Sequence, residues 1–187
     1  IDAGTAHTCA LITGGIVKCW GSNDIAQLGA STTEMCGSAD CSTTPVDSDF
    51  APGAIDLAVG GFHTCVITQA GAAQCVGDNE RGQVGTGATG PDDCFAGRTI
   101  PCAKSPQQVQ GLTSGVLDIT TGEVHTCAIT GSGVECWGDN LRYQIAREEA
   151  PNACNVILDE CFSRSPIEVV GVAGDIIEAG TDFTCVS

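Results

Sequence analysis

Large side chains and positive charge are what this 187-residue chain has least of. Aromatic residues make up 4 %, Met occurs once, and Lys plus Arg number seven against 23 Asp plus Glu. With so few rings, a core must be assembled from small aliphatic side chains and held by something besides aromatic packing. The net charge of -16 repels phosphate backbones, which argues against nucleic acid as a partner and disfavours anionic membrane surfaces. No apolar run approaches the ~20 residues needed to span a bilayer, so no membrane insertion is expected. A signal peptide and an initiating Met are both missing. The expectation is that a leader has been removed or that Ile1 opens an excerpt of a longer chain. Helical periodicity is also scarce, "AREEAPNA" (146–153) offering at most one turn.

Glycine and cysteine are abundant instead, at 25 and 13 residues. That cysteine density approaches a disulfide scaffold and points to an oxidising compartment outside the cytosol, with zinc ligation as the rival reading. The cysteines recur in phase. "IDAGTAHTCAL" from Ile1, "LAVGGFHTCVI" from Leu57, "ITTGEVHTCAI" from Ile119 and "IEAGTDFTCVS" from Ile177 align without gaps, with starts 56, 62 and 58 residues apart. Three units are therefore expected at 1–56, 57–118 and 119–176, with the start of a fourth at 177–187.

Within each unit the cysteines fall symmetrically about a glycine-bearing turn. Folding at "TGG" opposes Cys9 to Cys19, Leu11 to Val17 and Thr8 to Trp20. The second hairpin opposes Cys65 to Cys75 and Thr64 to Val76; the third, with a shorter turn, opposes Cys127 to Cys136 and Thr126 to Trp137. Directly opposed cysteines suit a disulfide when they form a non-hydrogen-bonded pair of an antiparallel ladder. A second pair follows in a polar loop of each unit: Cys36 with Cys41, Cys94 with Cys102, and Cys154 with Cys161. Pro45, Pro106 and Pro166 then begin short extended runs, and an apolar strand leads into the next hairpin. Each unit thus reads as about four short strands and one decorated loop. Cys185 stands where Cys9 does, without a counterpart for Cys19, and is expected to be unpaired in this chain.

The pattern "I-x-A-G-x-x-H-T-C-A-L…G-x-V-x-C-W-G-x-N…Q-L-G…P…V-x-G" resembles the regulator-of-chromosome-condensation repeat, in the cysteine-bearing form of exported bacterial proteins. The resemblance covers essentially the whole chain. It implies an all-β fold of β-propeller type, here three four-stranded blades and the start of a fourth. Such blades bury their faces against neighbours, so an isolated array leaves two apolar faces open.

Catalytic chemistry finds no support. No nucleophile elbow, phosphate-cradling glycine loop or paired carboxylates occur, and no cofactor is implied. His7, His63 and His125 lie two residues before a cysteine, a spacing compatible with zinc ligation, but Phe183 occupies that position in the fourth unit. A packed histidine bonded to a neighbouring blade is the simpler reading. Asn23, Asn79 and Asn140, with Gln27, Gln83 and Gln144, suggest Asx-turn chemistry rather than a binding row. Asp78 and Asp139 have Ser22 as their counterpart, and no calcium-loop motif is present. Trp20 and Trp137 are equivalent by repeat and are expected in the core.

The resemblance offers two named functions, nucleotide exchange on a small GTPase with chromatin binding, and protein inhibition of β-lactamases. Neither transfers residue by residue, because the charge opposes the first and three units cannot form the complete propeller that the second uses. The expectation is a secreted or cell-surface, non-enzymatic array that presents its loops at 30–52, 86–108 and 146–165 to a protein partner. The alternatives are a structural or adhesive protein whose copies join head to tail as a homo-oligomer or filament, and the accessory domain of an extracellular enzyme.

Overall fold

The computed structural model describes residues 1–32, 34–94, 100–146, 154–155 and 160–187. Every regular element among them is a strand. The first sheet comprises β1 (Asp2–Ala3), β2 (His7–Ile12), β3 (Ile16–Ser22), β4 (Glu34–Cys36) and β5 (Ala39–Asp47). The second comprises β6 (Ala54–Val59), β7 (His63–Thr68), β8 (Ala73–Asp78), β9 (Asp92–Cys94) and β10 (Ile100–Gln108). The third comprises β11 (Val116–Thr121), β12 (His125–Thr130), β13 (Gly133–Asp139), β14 (Cys154–Asn155) and β15 (Glu160–Glu168). A two-stranded sheet of β16 (Ile177–Ala179) and β17 (Thr184–Val186) follows. The first sheet runs β1-β2-β3-β5-β4, and the second and third repeat that order. The four strands expected per unit are present, and the decorated loop folds back to add a short fifth.

The hairpins hold the register that the turn positions imply. Cys9 opposes Cys19, Cys65 opposes Cys75, and Cys127 opposes Cys136. These three pairs are joined through sulfur with Cα–Cα separations of 4.1 Å, the short spacing of a non-hydrogen-bonded pair. Cys36–Cys41 and Cys94–Cys102 are joined at 5.8 and 5.9 Å. Strand pairing also sets Cys154 opposite Cys161, but the side chain of Cys154 lies outside the described residues. The same is true of most of 146–153, where a helical turn was considered, and of much of the third loop.

The prolines do not begin strands, as their position in the sequence suggests. Pro45, Pro106 and Pro166 sit inside β5, β10 and β15, each where the ladder to the preceding hairpin strand slips register. A residue without an N–H is tolerated at such a bulge because no ladder bond is lost there. The Ser42 hydroxyl donates to the Thr44 carbonyl at 2.7 Å and that of Ser163 to Ser165 at 2.6 Å, holding two of the bulges. The glycine that ends each hairpin has a sharper requirement. Gly21, Gly77 and Gly138 have φ of +106°, +103° and +97°, and a Cβ there would lie 2.5–2.6 Å from the carbonyls of Ala6, Phe62 and Val124.

The apolar core is divided among the seams between sheets. Val59, Val66 and Val76 of the second sheet pack on Cys9, Val17, Cys19 and Leu28 of the first. Trp137 and Ala128 of the third pack on Ile67, Cys75, Val84 and Val109 of the second. Ile177 and Val186 close over Ile129, Val134 and Val169 of the third. Each hairpin disulfide is buried in such a cluster. Trp137 is fully buried, whereas its counterpart Trp20 is only half-buried, contrary to expectation. The reason is directional: this side chain packs against the sheet before its own, and the described residues place no sheet before the first.

The loop disulfides are unequal too. Cys36 is exposed, but Cys94 and Cys102 are buried with Ala26 against the polar loop of the first unit. The second loop pair is therefore part of the packing and not a surface excursion. Closing a ten-residue loop contributes about 2.5–3 kcal/mol and a five-residue loop about 2 kcal/mol in the chain-entropy picture. Burial adds packing losses to the larger figure. Replacing Cys65 and Cys75 together by Ala is expected to lower the Tm most, Cys94 and Cys102 next, and Cys36 and Cys41 least. Thermal unfolding of the three double variants checks that order, and equal effects would place the packing contribution elsewhere.

Candidate functional site

Each seam is stitched by the same polar thread. The His7 Nε2 lies 2.9 Å from the Thr64 hydroxyl of the next sheet, His63 2.8 Å from Thr126, and His125 2.9 Å from Thr184. Each of those hydroxyls in turn donates backwards, Thr64 to the Gln27 carbonyl at 2.8 Å, Thr126 to Gln83 at 3.0 Å and Thr184 to Gln144 at 3.3 Å. A threonine hydroxyl has one proton. Since that proton goes to the carbonyl, the imidazole must donate, which assigns the proton to Nε2 in all three rings. The Nδ1 atoms are buried and have no hydrogen-bond partner among the described residues.

Burial pushes these rings towards the neutral form. His7 and His125 fall to about 4 and His63 to about 3, the last lowered further by the two flanking histidines, while Asp182 opposes the shift at His125. Protonation would place a new N–H at a buried Nδ1 that faces no acceptor. The space around the ring is equally committed. A Cβ on Gly60 would sit 2.4 Å from His63 Cε1 and 2.7 Å from the Gly122 carbonyl, and one on Gly122 would sit 2.1 Å from His125 Cε1.

Inner strands are tied across the seams by side chains. Asp2 Oδ2 accepts from the Val59 N–H at 2.7 Å, Asp118 Oδ2 from Ile177 at 3.0 Å, and Thr120 Oγ1 from Ala179 at 3.0 Å. These strands border an axial groove of about 390 Å³ lined by Asp2, Glu123, Glu178 and the glycines 4, 60, 122 and 180. Among the described residues no cluster of three or more His, Cys, Asp or Glu is arranged to hold a metal. The histidines are thus spent on threonine hydroxyls in successive seams and do not meet the cysteines as a ligand set.

The Asn and Gln rows also hold backbone. Oδ1 of Asn23, Asn79 and Asn140 accepts from the N–H of Leu28, Val84 and Ile145. That reach is five residues, wider than the two of the expected Asx-turn, because the side chain is buried and spans the whole loop. Gln83 and Gln144 donate to Asp78 and Asp139 at 2.9 and 2.8 Å. Burial raises the Asp78 carboxyl to about 6 against the pull of its hydrogen bonds, and raises Asp139 likewise.

What remains for an outside partner is the rim. The β4–β5 hairpin exposes Glu34, Met35, Asp40 and Asp47, the last paired with Lys18 at 2.5 Å, and Asp49 is exposed just beyond it. Glu34 accepts from the Thr43 N–H and hydroxyl at 2.6 and 2.8 Å, which holds its carboxyl below the ordinary range. Between this hairpin and the loop of the second unit lies a cleft of about 490 Å³, bordered by Asp24, Asp40, Asp93 and Lys104. The seam threonines were not singled out from sequence, although a signal was present. "F-T-C" in the fourth unit keeps Thr184 where the histidine is lost, since that threonine serves the histidine of the preceding unit.

Residues 54–83 and 75–129 match the regulator of chromosome condensation (RCC1) repeat. The chain contains RCC1-type repeats. It is 28 % identical over 157 residues to the X-linked retinitis pigmentosa GTPase regulator of Canis lupus familiaris, covering 82 % of this chain and 14 % of that protein. It is 25 % identical over 186 residues to protein pim1 of Schizosaccharomyces pombe, covering 93 % and 34 %. The chain therefore spans 14 to 34 % of the length of these relatives. Prp20p of Saccharomyces cerevisiae, solved with attention to its binding of Gsp1p and histones, superposes with a TM-score of 0.77 at 17 % identity over 97 % of this chain and 41 % of its own. At that identity the likeness is one of fold, and the fold is the RCC1 propeller.

Two outcomes are expected from the seam. Thr126→Val leaves the His63 N–H buried without an acceptor and should cost about 1–3 kcal/mol, while Thr126→Ser should cost less. Chemical denaturation of both variants is the measurement. The pH dependence has a definite sign. The folded histidine pKa values lie below 6.5, so their contribution is complete above 6.5 and is lost as pH falls towards 4 and 3. Asp78 acts oppositely, because its raised pKa stabilises the fold as pH falls through about 6. Asp56, Glu135 and Asp139, also raised by burial, act with Asp78, so the histidine part, which declines from pH 6.5 towards 4, is read by comparison with a histidine variant. In His63→Gln the slope should fall by about a third of the histidine contribution, that ring being one of three.

Proposed function

We propose that this chain is a non-enzymatic interaction scaffold that works in an oxidising, extracytoplasmic setting, at the cell surface or secreted, and offers its decorated hairpins to a protein partner. The observation that carries the reading is the division of labour among its side chains. Histidine, threonine, asparagine and glutamine are consumed in seams and loops, and the carboxylates of the β4–β5 rim are left facing solvent. A rim of that charge on a chain of net charge -16 suits a basic protein surface and opposes nucleic acid. The described cysteines other than Cys185 are paired, Cys36 at an exposed position, which supports a compartment where thiols are not kept reduced. The resemblance to the exported bacterial form of the repeat fits the same setting.

Assembly of copies is the second reading. It draws on exposed apolar side chains, Ile55 and Leu117 among them. A head-to-tail contact between copies would be heterologous and would run on as a filament unless it closed. Sedimentation at micromolar concentration separates the readings: a single 18.9 kDa species removes the assembly.

Two measurements test the scaffold. Alkylation in producing cells before lysis should leave Cys9, Cys19, Cys65, Cys75, Cys127 and Cys136 unlabelled, and labelling of all 13 cysteines would overturn the extracytoplasmic setting. Histone protein free of DNA serves as a basic probe. Its binding should weaken about tenfold when Glu34, Asp40, Asp47 and Asp49 are changed to Asn or Gln, and should fall with salt as expected for charges screened over ~8 Å at physiological ionic strength. Unchanged binding by that variant would sink the rim as the site.

A further inference from the structure

The loop disulfides of the first two units occupy the same place in their sheets and differ in access. Cys94 and Cys102 are 5 % and 0 % exposed and pack on Ala26. The chain passes so close over Cys102 that a Cβ on Gly90 would lie 2.3 Å from its carbonyl oxygen. In the first unit Cys41 is as deeply buried, at 1 %, but Cys36 is exposed. Cys36 ends β4 at the turn of Gly37 and Ser38, and a Cβ on Gly37 would meet nothing within 4 Å. A thiol arriving from solvent therefore finds Cys36 open and Cys41 covered.

The register of β4 on β5 decides the charges around this bond. Glu34 lies two residues before Cys36, on the same face of β4, and is paired with Cys41 across the ladder. Its Oε2 is fixed there by the Thr43 N–H and hydroxyl, so a carboxylate shares the face of the disulfide. Asp40 adjoins Cys41 and borders the cleft that also holds Asp24, Asp93 and Lys104. Carboxylates so placed repel an anionic thiolate and disfavour a second negative sulfur at Cys41, and a positive charge on the incoming thiol offsets both. The bond also matters to the hairpin. β4 has three residues and, among the described residues, pairs with β5 alone. So short a ladder is marginal in water without a further tie.

We propose that Cys36–Cys41 is a thiol-exchange site selective for cationic thiols. The incoming thiolate attacks Sγ of Cys36, a new S–S bond forms there, and the Cys41 sulfur leaves with the bonding pair and takes a proton from water. One disulfide replaces another, so nothing is consumed besides the thiol. The product carries a cation beside Glu34 and Asp40, and its β4 is held by the ladder and the Glu34–Thr43 bonds without the covalent tie. The exchange is a property of the folded hairpin and does not rest on the scaffold reading.

The test uses the Cys185→Ser protein, which has no free thiol among the described cysteines to compete. Folded protein is treated with cysteamine, 2-mercaptoethanol or glutathione, quenched at early times with N-ethylmaleimide and mapped by mass spectrometry. Cysteamine should be found on Cys36 and maleimide on Cys41, with Cys94–Cys102 still closed. Rates are divided by those of the same thiols with a neutral small disulfide. The corrected rates should favour cysteamine over glutathione about tenfold at low salt and less at high salt. Glu34→Gln should narrow that ratio, and the amides of 34–36 should exchange hydrogen faster in the adduct. Thiol on Cys41 with maleimide on Cys36, opening of Cys94–Cys102 at the same rate, or a ratio near one that neither salt nor Glu34→Gln alters would each overturn the proposal.

Discussion

Among the described residues each sheet is buried by the sheet beside it, and the seam between them carries both the apolar core and a repeated polar thread. The thread has a direction. Histidine reaches forward to threonine, and threonine reaches back to a glutamine carbonyl. One hydroxyl proton sets the tautomer of the ring before it, so each seam has a single satisfied arrangement. A sheet rotated or slipped by one residue would bury two donors against nothing, at a cost of about 1–3 kcal/mol for each. That penalty supplies the specificity that scarce aromatic packing does not.

The disulfides act on the same seams. Cys9–Cys19, Cys65–Cys75 and Cys127–Cys136 lie at the centre of their clusters, where a blade richer in aromatics would place a ring. They fix hairpin pairing in the unfolded chain and fill the space between sheets in the folded one. The inner strands need a different device, because adjacent first strands do not share a ladder across a seam. Carboxylates and a threonine hydroxyl bridge to backbone N–H groups instead. The arrangement brings acidic groups near one another: burial, then the charges of Asp118 and Asp2, raise the Asp56 carboxyl. The array therefore uses its buried polar residues to build itself, and the carboxylates of the rim are left facing solvent.

Much of the architecture was legible in the sequence because a repeat is a periodic statement. Cysteines placed symmetrically about a glycine turn can oppose each other in only one register, and three turns of different sequence repeat it. The fifth strand was hidden, since two or three residues beside a polar loop have no pattern until the cysteine pair folds them back. Proline looked like a boundary because it lacks an N–H, yet a bulge removes that objection. Trp20 and Trp137 look identical in sequence and differ in burial, since burial belongs to the neighbouring sheet and not to the residue.

Local chemistry thus determined the strands, the hairpin register and the cysteine partners, for these depend on residues within a few turns of one another. Tertiary structure decided the rest: that each histidine meets the threonine of the next unit 57 to 63 residues away, and that Cys94 and Cys102 are packed against the first unit. Those contacts join separate repeats, and the spacing of residues along a chain does not state how far one sheet is turned against the next.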